Sequence, residues 1–258
     1  SNMVQGQWRP PYILQYEHTA PYWYQLKHLI LYSLGVPLGI LTILGTTGMF
    51  ILAMKEFLLR RSLAVPRRWQ ATVVLLTWTL PVFWIVGGFH VKFLRYMLPL
   101  IPFLCLLAAL FVDELLQRFP AWKMGMTVIL IGVLGFSAFY ATAFVSIYQR
   151  EDPRVQASRW IYEHVESGAT LLTELWEFAS LAVVEDQHPA QYRVLSLDVY
   201  APDSDAKIRT IADQLSETDL IVMATRRLYG SILRVPEKFP LTANYYKLLF
   251  DGVLGFTP

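Results

Sequence analysis

The stretch GGFHVKFLRYMLPLIP, Gly87 to Pro102, places His90, Lys92 and Arg95 within six positions at the mouth of an apolar run. Two permanent cations and an imidazole at such a place suit an anionic group held near a membrane surface. Arg95 would grip a phosphate through the bidentate guanidinium fork, Lys92 as a point charge, and His90 would help orient it. Lys92 and Arg95 are three residues apart and share a face if a helix begins near Val91. The plainer alternative is that both side chains snorkel, with stems in apolar surroundings and heads in water. Glu17, His18 and Tyr96 are candidates for lining the same external cleft, Glu17 and His18 lying between Tyr16 and Pro21.

Other chemistries find little footing. The histidines, at 18, 28, 90, 164 and 188, form no HxxxH or HxH arrangement, and Cys105 is the single cysteine. No metal-ligand spacing results. There is no GxSxG elbow, and neither GxGxxG after a strand nor GxxxxGK[ST] to cradle a nucleotide. Glu17 is the one acidic residue on the external side of the first half, and Asp113 and Glu114 bound a span on the opposite side. Glu174 and Glu177 flank the end of a predicted strand, where α/β folds often bind ligands; a solvated loop is the simpler reading of the pair.

The elements that position these residues follow from hydropathy and charge. The 258 residues are 55% hydrophobic and 16% charged, against about 25% charged in a typical soluble domain. Through Gln149 there are 11 Lys+Arg and 4 Asp+Glu; from Arg150 onward there are 11 and 16. A basic apolar half thus precedes an acidic polar half. The first half contains four uncharged runs, 29–54, 71–89, 96–112 and 124–149, the third lengthened by a snorkelling Arg95. About 20 apolar residues cross the hydrocarbon core as a helix. Prolines at 37, 81, 99 and 102 fall inside or at these runs and point to packing among several helices. No charged residue lies within a span away from its ends, which argues against an ion pathway.

The connection Lys55–Gln70 carries five basic residues and one acidic one, so it is expected on the cytoplasmic side. Residues 1–28, rich in aromatics suited to the interface (Trp8, Tyr12, Tyr16, Tyr22, Trp23, Tyr24), are then external, as are the Gly87–Arg95 loop and everything after Gln149. The expected fold is a multi-pass α-helical membrane bundle of four spans followed by a small external α/β domain over 150–258, located in the plasma membrane with its carboxy-terminal domain on the extracytoplasmic side.

Within that domain Asp152-Pro153 has the chemistry of a helix start, with the helix running to about Glu166 and ended by Gly168. Ala169–Glu174, Tyr192–Leu197 and Asp219–Thr225 read as strands, and the segment EFASLAVVED and Ala206–Leu215 as helices. This alternation predicts a small parallel sheet covered by helices.

The run VKFLRYMLPLIPFLCLLAAL resembles the aromatic-Arg-Tyr-Leu-Pro-x-x-Pro segment in late helices of GT-C glycosyltransferases, the polyprenyl-phosphate-sugar-dependent membrane enzymes that include protein mannosyltransferases and aminoarabinose transferases. YQLKHLILYSLGVPLGILTILGTTG resembles a span of a bacterial branch of that group. DPRVQASRWIYEHVESGATLLTELWE resembles the junction into its external domain, and RRLYGSILRVPEKFPLTANYYKLLFDGVLGF a later part of it. The resemblance covers essentially the whole chain and corresponds to the carboxy-terminal portion of such an enzyme. It implies transfer of a sugar from an outer-leaflet polyprenyl-phosphate donor to an acceptor glycan, lipid or protein, with inversion at the anomeric carbon.

The family's later external loops commonly offer cations to the lipid phosphate, which favours Lys92, Arg95 and His90 in that role. Its catalytic acidic residue lies in a first external loop with no counterpart here, so no catalytic residue is assigned; if the chain is complete, it is expected to be inactive alone. The superfamily admits a divalent metal, for which this sequence shows no ligand set, and nothing points to nucleic acid. The competing expectation is a non-catalytic membrane-anchored protein whose external α/β domain binds a partner or glycan.

Overall fold

A computed structural model describes residues 11–59, 67–176 and 181–257. The chain forms two compact units. One spans His18–Ile147; the other combines the described part of Arg9–Glu17 with Tyr148–Pro258. Trp8, the first four residues of the expected helix EFASLAVVED, Glu177 among them, and the centre of the basic connection after Leu59 lie outside the described residues.

In the helical unit, α1 (Trp23–His28) leads into a π-helical turn, Leu29–Leu34, and Gly35 at φ +76° then resets the chain before α2 (Val36–Leu59). That φ costs little without a Cβ. The first long apolar helix therefore begins at Val36, because the positive φ at Gly35 interrupts an otherwise unbroken apolar run. The remaining helices are α3 (Arg67–Gly87), α4 (Ile101–Arg118, entered through a 3-10 segment Leu94–Leu100) and α5 (Lys123–Val145). Among the described residues, four helical stretches are long and apolar enough to cross a membrane.

Of the four prolines, Pro81 alone interrupts an α-helix. Pro37 and Pro102 fall in the first turns of α2 and α4, and Pro99 in the 3-10 segment. A first-turn proline sacrifices no helical hydrogen bond.

Small residues decide how the helices pack. Gly39, Thr42, Gly45 and Met49 form the buried stripe of α2, and a Cβ on Gly45 would lie 2.5 Å from the Ala108 Cα on α4. Close backbone approach of this kind characterises helices packed in lipid, where dispersion contacts replace the hydrophobic drive. Leu29, Leu34, Met97, Leu100 and Leu104 form one core cluster, and Met49, Leu76 and Leu107 another. Large apolar side chains such as Leu44, Val74, Trp84 and Ile131 point outward, and α5 buries none of its residues. An apolar exterior on long apolar helices supports membrane association.

The second unit holds a three-stranded parallel sheet in the order β2-β1-β3, with β1 Thr170–Glu174, β2 Arg193–Leu197 and β3 Leu220–Val222. Helices α6 (Pro153–His164), α7 (Asp205–Ser216), α8 (Arg227–Ile232) and α9 (Pro240–Phe250) surround it. Alternation along β1 sends Leu171 to Ile161, Leu181 and Tyr192, and Leu172 to Leu228, Ile232 and Tyr246. Apolar contacts on both faces are the usual setting of a parallel sheet. Asp152 caps α6, its carboxylate accepting from the Arg154 N–H at 2.8 Å, with Pro153 in the first turn. The helix stops at His164, before Gly168, because Val165 already has extended backbone.

Over 181–186 there is no helix. Leu181 is buried against the sheet, and Val184 bridges Gln187 through two backbone hydrogen bonds. Burial of Leu181 and that tight turn override the helical propensity of the segment.

Candidate functional site

His90 and Lys92 lie in the turn between α3 and the 3-10 segment, and Arg95 follows at the start of that segment. Two glycines prepare the turn. Tyr22 lies across them: its N–H donates to the Gly87 carbonyl at 2.9 Å, and a Cβ on Gly87 would stand 2.5 Å from the Tyr22 ring. Tyr22 itself holds φ +58° and ψ −52°, a strained conformation for a residue with a Cβ.

Lys92 and Arg95 do not share a helical face. Phe93 is extended, and regular structure begins only at Leu94. The consequence is a division of labour. Lys92 is 4% exposed, its ammonium donating to the His90 carbonyl at 3.2 Å. Arg95 is exposed, and its guanidinium lies 4.4 Å from the centre of the Phe93 ring and 5.7 Å from that of Tyr96. Cation–π attraction of this sort restrains the side chain without consuming its hydrogen-bond donors. Tyr96 is edge-on to Phe93 and Phe89, at 5.7 and 6.0 Å. His90 is half-buried, with Nε2 turned inward. The structure thus brings His90, Lys92, Arg95 and Tyr96 into one turn.

Glu17 and His18, neighbours in sequence, fall in different units. Glu17 belongs to the α/β unit and His18 to the helical one. The Glu17 carboxylate accepts from the Lys238 ammonium at 3.0 Å, and His18 is exposed at φ +58°.

Gln25 escaped sequence reasoning. It is fully buried in α1, with neither its amide nitrogen nor its oxygen hydrogen-bonded, and an orphaned buried amide costs about 1–3 kcal/mol. The 3-10 segment that carries Arg95 packs against α1. The one available signal was a glutamine two residues from Lys27 in an aromatic segment, too common a pattern to read.

At the C-terminal end of β1, Glu174 is 2% exposed. Burial, and next the Glu174 charge, push the Tyr245 and Tyr246 phenols well above their ordinary range. Its expected companion Glu177 lies outside the described residues. Among the described residues, no group of three His, Cys, Asp or Glu side chains could hold a metal ion.

The fold and this turn define a class: a bundle of apolar, membrane-length helices with cations at one turn, joined to a parallel α/β unit. No protein-family model matches the chain, and neither a curated protein nor a solved structure is found similar to it.

Proposed function

We propose that this chain is part of an integral-membrane glycosyltransferase of the GT-C kind, moving a sugar from an outer-leaflet polyprenyl-phosphate donor to an acceptor. The observation that carries this reading is Lys92, a cation 4% exposed in the same turn as the exposed Arg95 and the half-buried His90. A charge withdrawn from water at the end of an apolar bundle is costly unless an anion or fixed dipoles compensate it. A phosphate held between the buried ammonium and the exposed guanidinium suits both cations, and the segment resemblances point to the same ligand.

Parity gives further support. Glu17, before the first span, pairs with Lys238, after the fourth. Both must lie on one side of a membrane, and four crossings return the chain to the side it left. The basic connection after α2 favours the outside for that side.

In the proposed reaction, an acceptor oxygen attacks the anomeric carbon while the bond from that carbon to the lipid phosphate oxygen breaks. The phosphodiester leaves as a phosphomonoester and takes the electron pair, so negative charge grows where Lys92 and Arg95 stand. Fixed cations aimed at developing charge are worth roughly 3–4 kcal/mol each. The acceptor's proton needs a base, and no residue here is assigned to it.

The test is binding of undecaprenyl monophosphate to the protein in lipid nanodiscs. Lys92→Met and Arg95→Gln should each weaken binding about tenfold or more, by loss of a charge-assisted contact. Unchanged affinity in the double variant would overturn the phosphate role. Where transfer is measurable, Arg95→Ala should lower turnover about a hundredfold.

A further inference from the structure

We propose a second anion site, in the α/β unit and independent of the lipid-phosphate reading: the cavity lined by Arg226, Tyr229, Gly230, Leu233, Arg234 and Phe250 binds a phosphate carried on a ring. The cavity measures about 440 Å³, within the range of small-molecule sites. It lies at α8 and the end of α9, and two of its six lining residues are arginines.

Charge makes this cavity stand out. From Arg150 onward the chain carries 16 acidic against 11 basic residues, yet no carboxylate lines the cavity. Both arginines are exposed, and among the described residues neither guanidinium has an ion-pair partner. Arg227, next to Arg226 in sequence, is committed elsewhere, donating to the Trp176 carbonyl. Two unengaged guanidinium forks in an otherwise acidic unit suit a phosphate, which each can grip with paired N–H groups.

Gly230 shapes the arrangement. A Cβ there would lie 2.9 Å from the Arg226 Cγ and 3.4 Å from its Nε, so the Arg226 stem lies along the bare backbone of α8. The opposite character is aromatic. Tyr229 meets Phe250 edge to face at 5.2 Å, and Tyr246, fully buried, stacks on Phe250 at 6.2 Å. A fixed aromatic wall beside two guanidinium groups favours a ring over an extended chain as the body bearing the phosphate. A soluble sugar phosphate and an inositol phospholipid headgroup share this chemistry.

The full chain in phosphatidylcholine nanodiscs is titrated calorimetrically with glucose 1-phosphate and with glucose. In parallel, the detergent-solubilised chain is offered phosphatidylinositol and retention is read by native mass spectrometry. The expected result is binding of at least one phosphate probe, no binding of glucose, and about a tenfold or greater loss in Arg226→Gln/Arg234→Gln. Binding of glucose 1-phosphate alone identifies a soluble ligand, and retention of phosphatidylinositol alone a lipid headgroup. Gly230→Ala keeps both charges but displaces the Arg226 stem, so it should weaken the same probe and serves if the double variant does not fold. If neither probe binds, or if both variants bind like the parent, the proposal fails.

Discussion

The ammonium of Lys207 lies 2.6 Å from the hydroxyl of Thr242, joining α7 to α9 inside the α/β unit. The same nitrogen donates to the carbonyls of Val199 and Ala201 at 3.1 and 2.6 Å and to the Asp203 carboxylate at 2.8 Å. The Thr242 hydroxyl in turn donates to the Val199 carbonyl at 2.9 Å. A lysine this buried is tolerable because acceptors surround its charge. It ties the loop after β2 to two helices, and Phe250 of the cavity wall lies on one of them, α9.

Lys207→Met should therefore destabilise the α/β unit by about 3 kcal/mol, the cost of removing one partner from a buried ion pair. Hydrogen exchange of the β1 and β2 amides measures this. Adding Asp203→Asn should cost less than the sum of the two single changes. Full additivity would show that the pair does not act as a unit.

Two glycines in the helical unit should respond in opposite ways. Gly45→Ala places a methyl against the Ala108 backbone and should cost about 1–3 kcal/mol by overpacking. Gly132→Ala on α5 meets nothing within 4 Å and should be neutral or slightly stabilising, since alanine favours a helix interior by roughly 1 kcal/mol. Thermal denaturation of each variant in detergent separates them; equal effects would refute close packing of α2 on α4.

The Tyr140 hydroxyl donates to the Leu31 carbonyl at 3.1 Å, and its ring packs over Gly35. A π-helical turn disturbs the regular carbonyl pairing, and this phenol satisfies one carbonyl of that turn. Tyr140→Phe should cost about 0.6 kcal/mol, the average for hydrogen bonds between membrane helices, and should speed amide exchange locally over 29–35. Exchange unaltered there would remove the phenol from that role.

Alkaline pH should unfold the α/β unit. Tyr245 and Tyr246 are held protonated, first by burial and then by the charge of Glu174. Their raised folded pKa contributes stability that is fully present below the unfolded value, about 10. It is lost as pH rises beyond that value, because only the unfolded chain releases these protons. Phenolate absorbance followed beside circular dichroism tests this, with ionisation of the two expected only along with unfolding. Tyr246→Phe should move the alkaline midpoint upward. Ionisation of both phenols with the fold intact would contradict their burial.

Several features were open to reading along the chain because their causes are local. Contiguous apolar residues announce membrane-length helices by transfer free energy alone, and Asp152-Pro153 marks the start of α6 by capping geometry confined to three residues. The strand cores at Thr170–Glu174 and Arg193–Leu197 emerged from short apolar runs between turn signals. Where a neighbour decides, the sequence was silent or misleading. Gly35 ends the π-helical turn through a left-handed φ that hydropathy does not encode. Over 181–186 the expected helix is absent, and Leu181 is drawn to the sheet.

The candidate residues show the same boundary. Sequence alone determined that two cations and an imidazole stand at one turn beside an apolar run. Tertiary structure decided that Lys92 is buried while Arg95 is exposed over Phe93, since that depends on the extended backbone at Phe93 and the helices around it. It also gave Glu17 to Lys238, a partner 221 residues away, and buried Gln25, Glu174 and Lys207. Charge and hydropathy are properties of a residue and its near neighbours, whereas burial and pairing belong to surfaces assembled from distant segments.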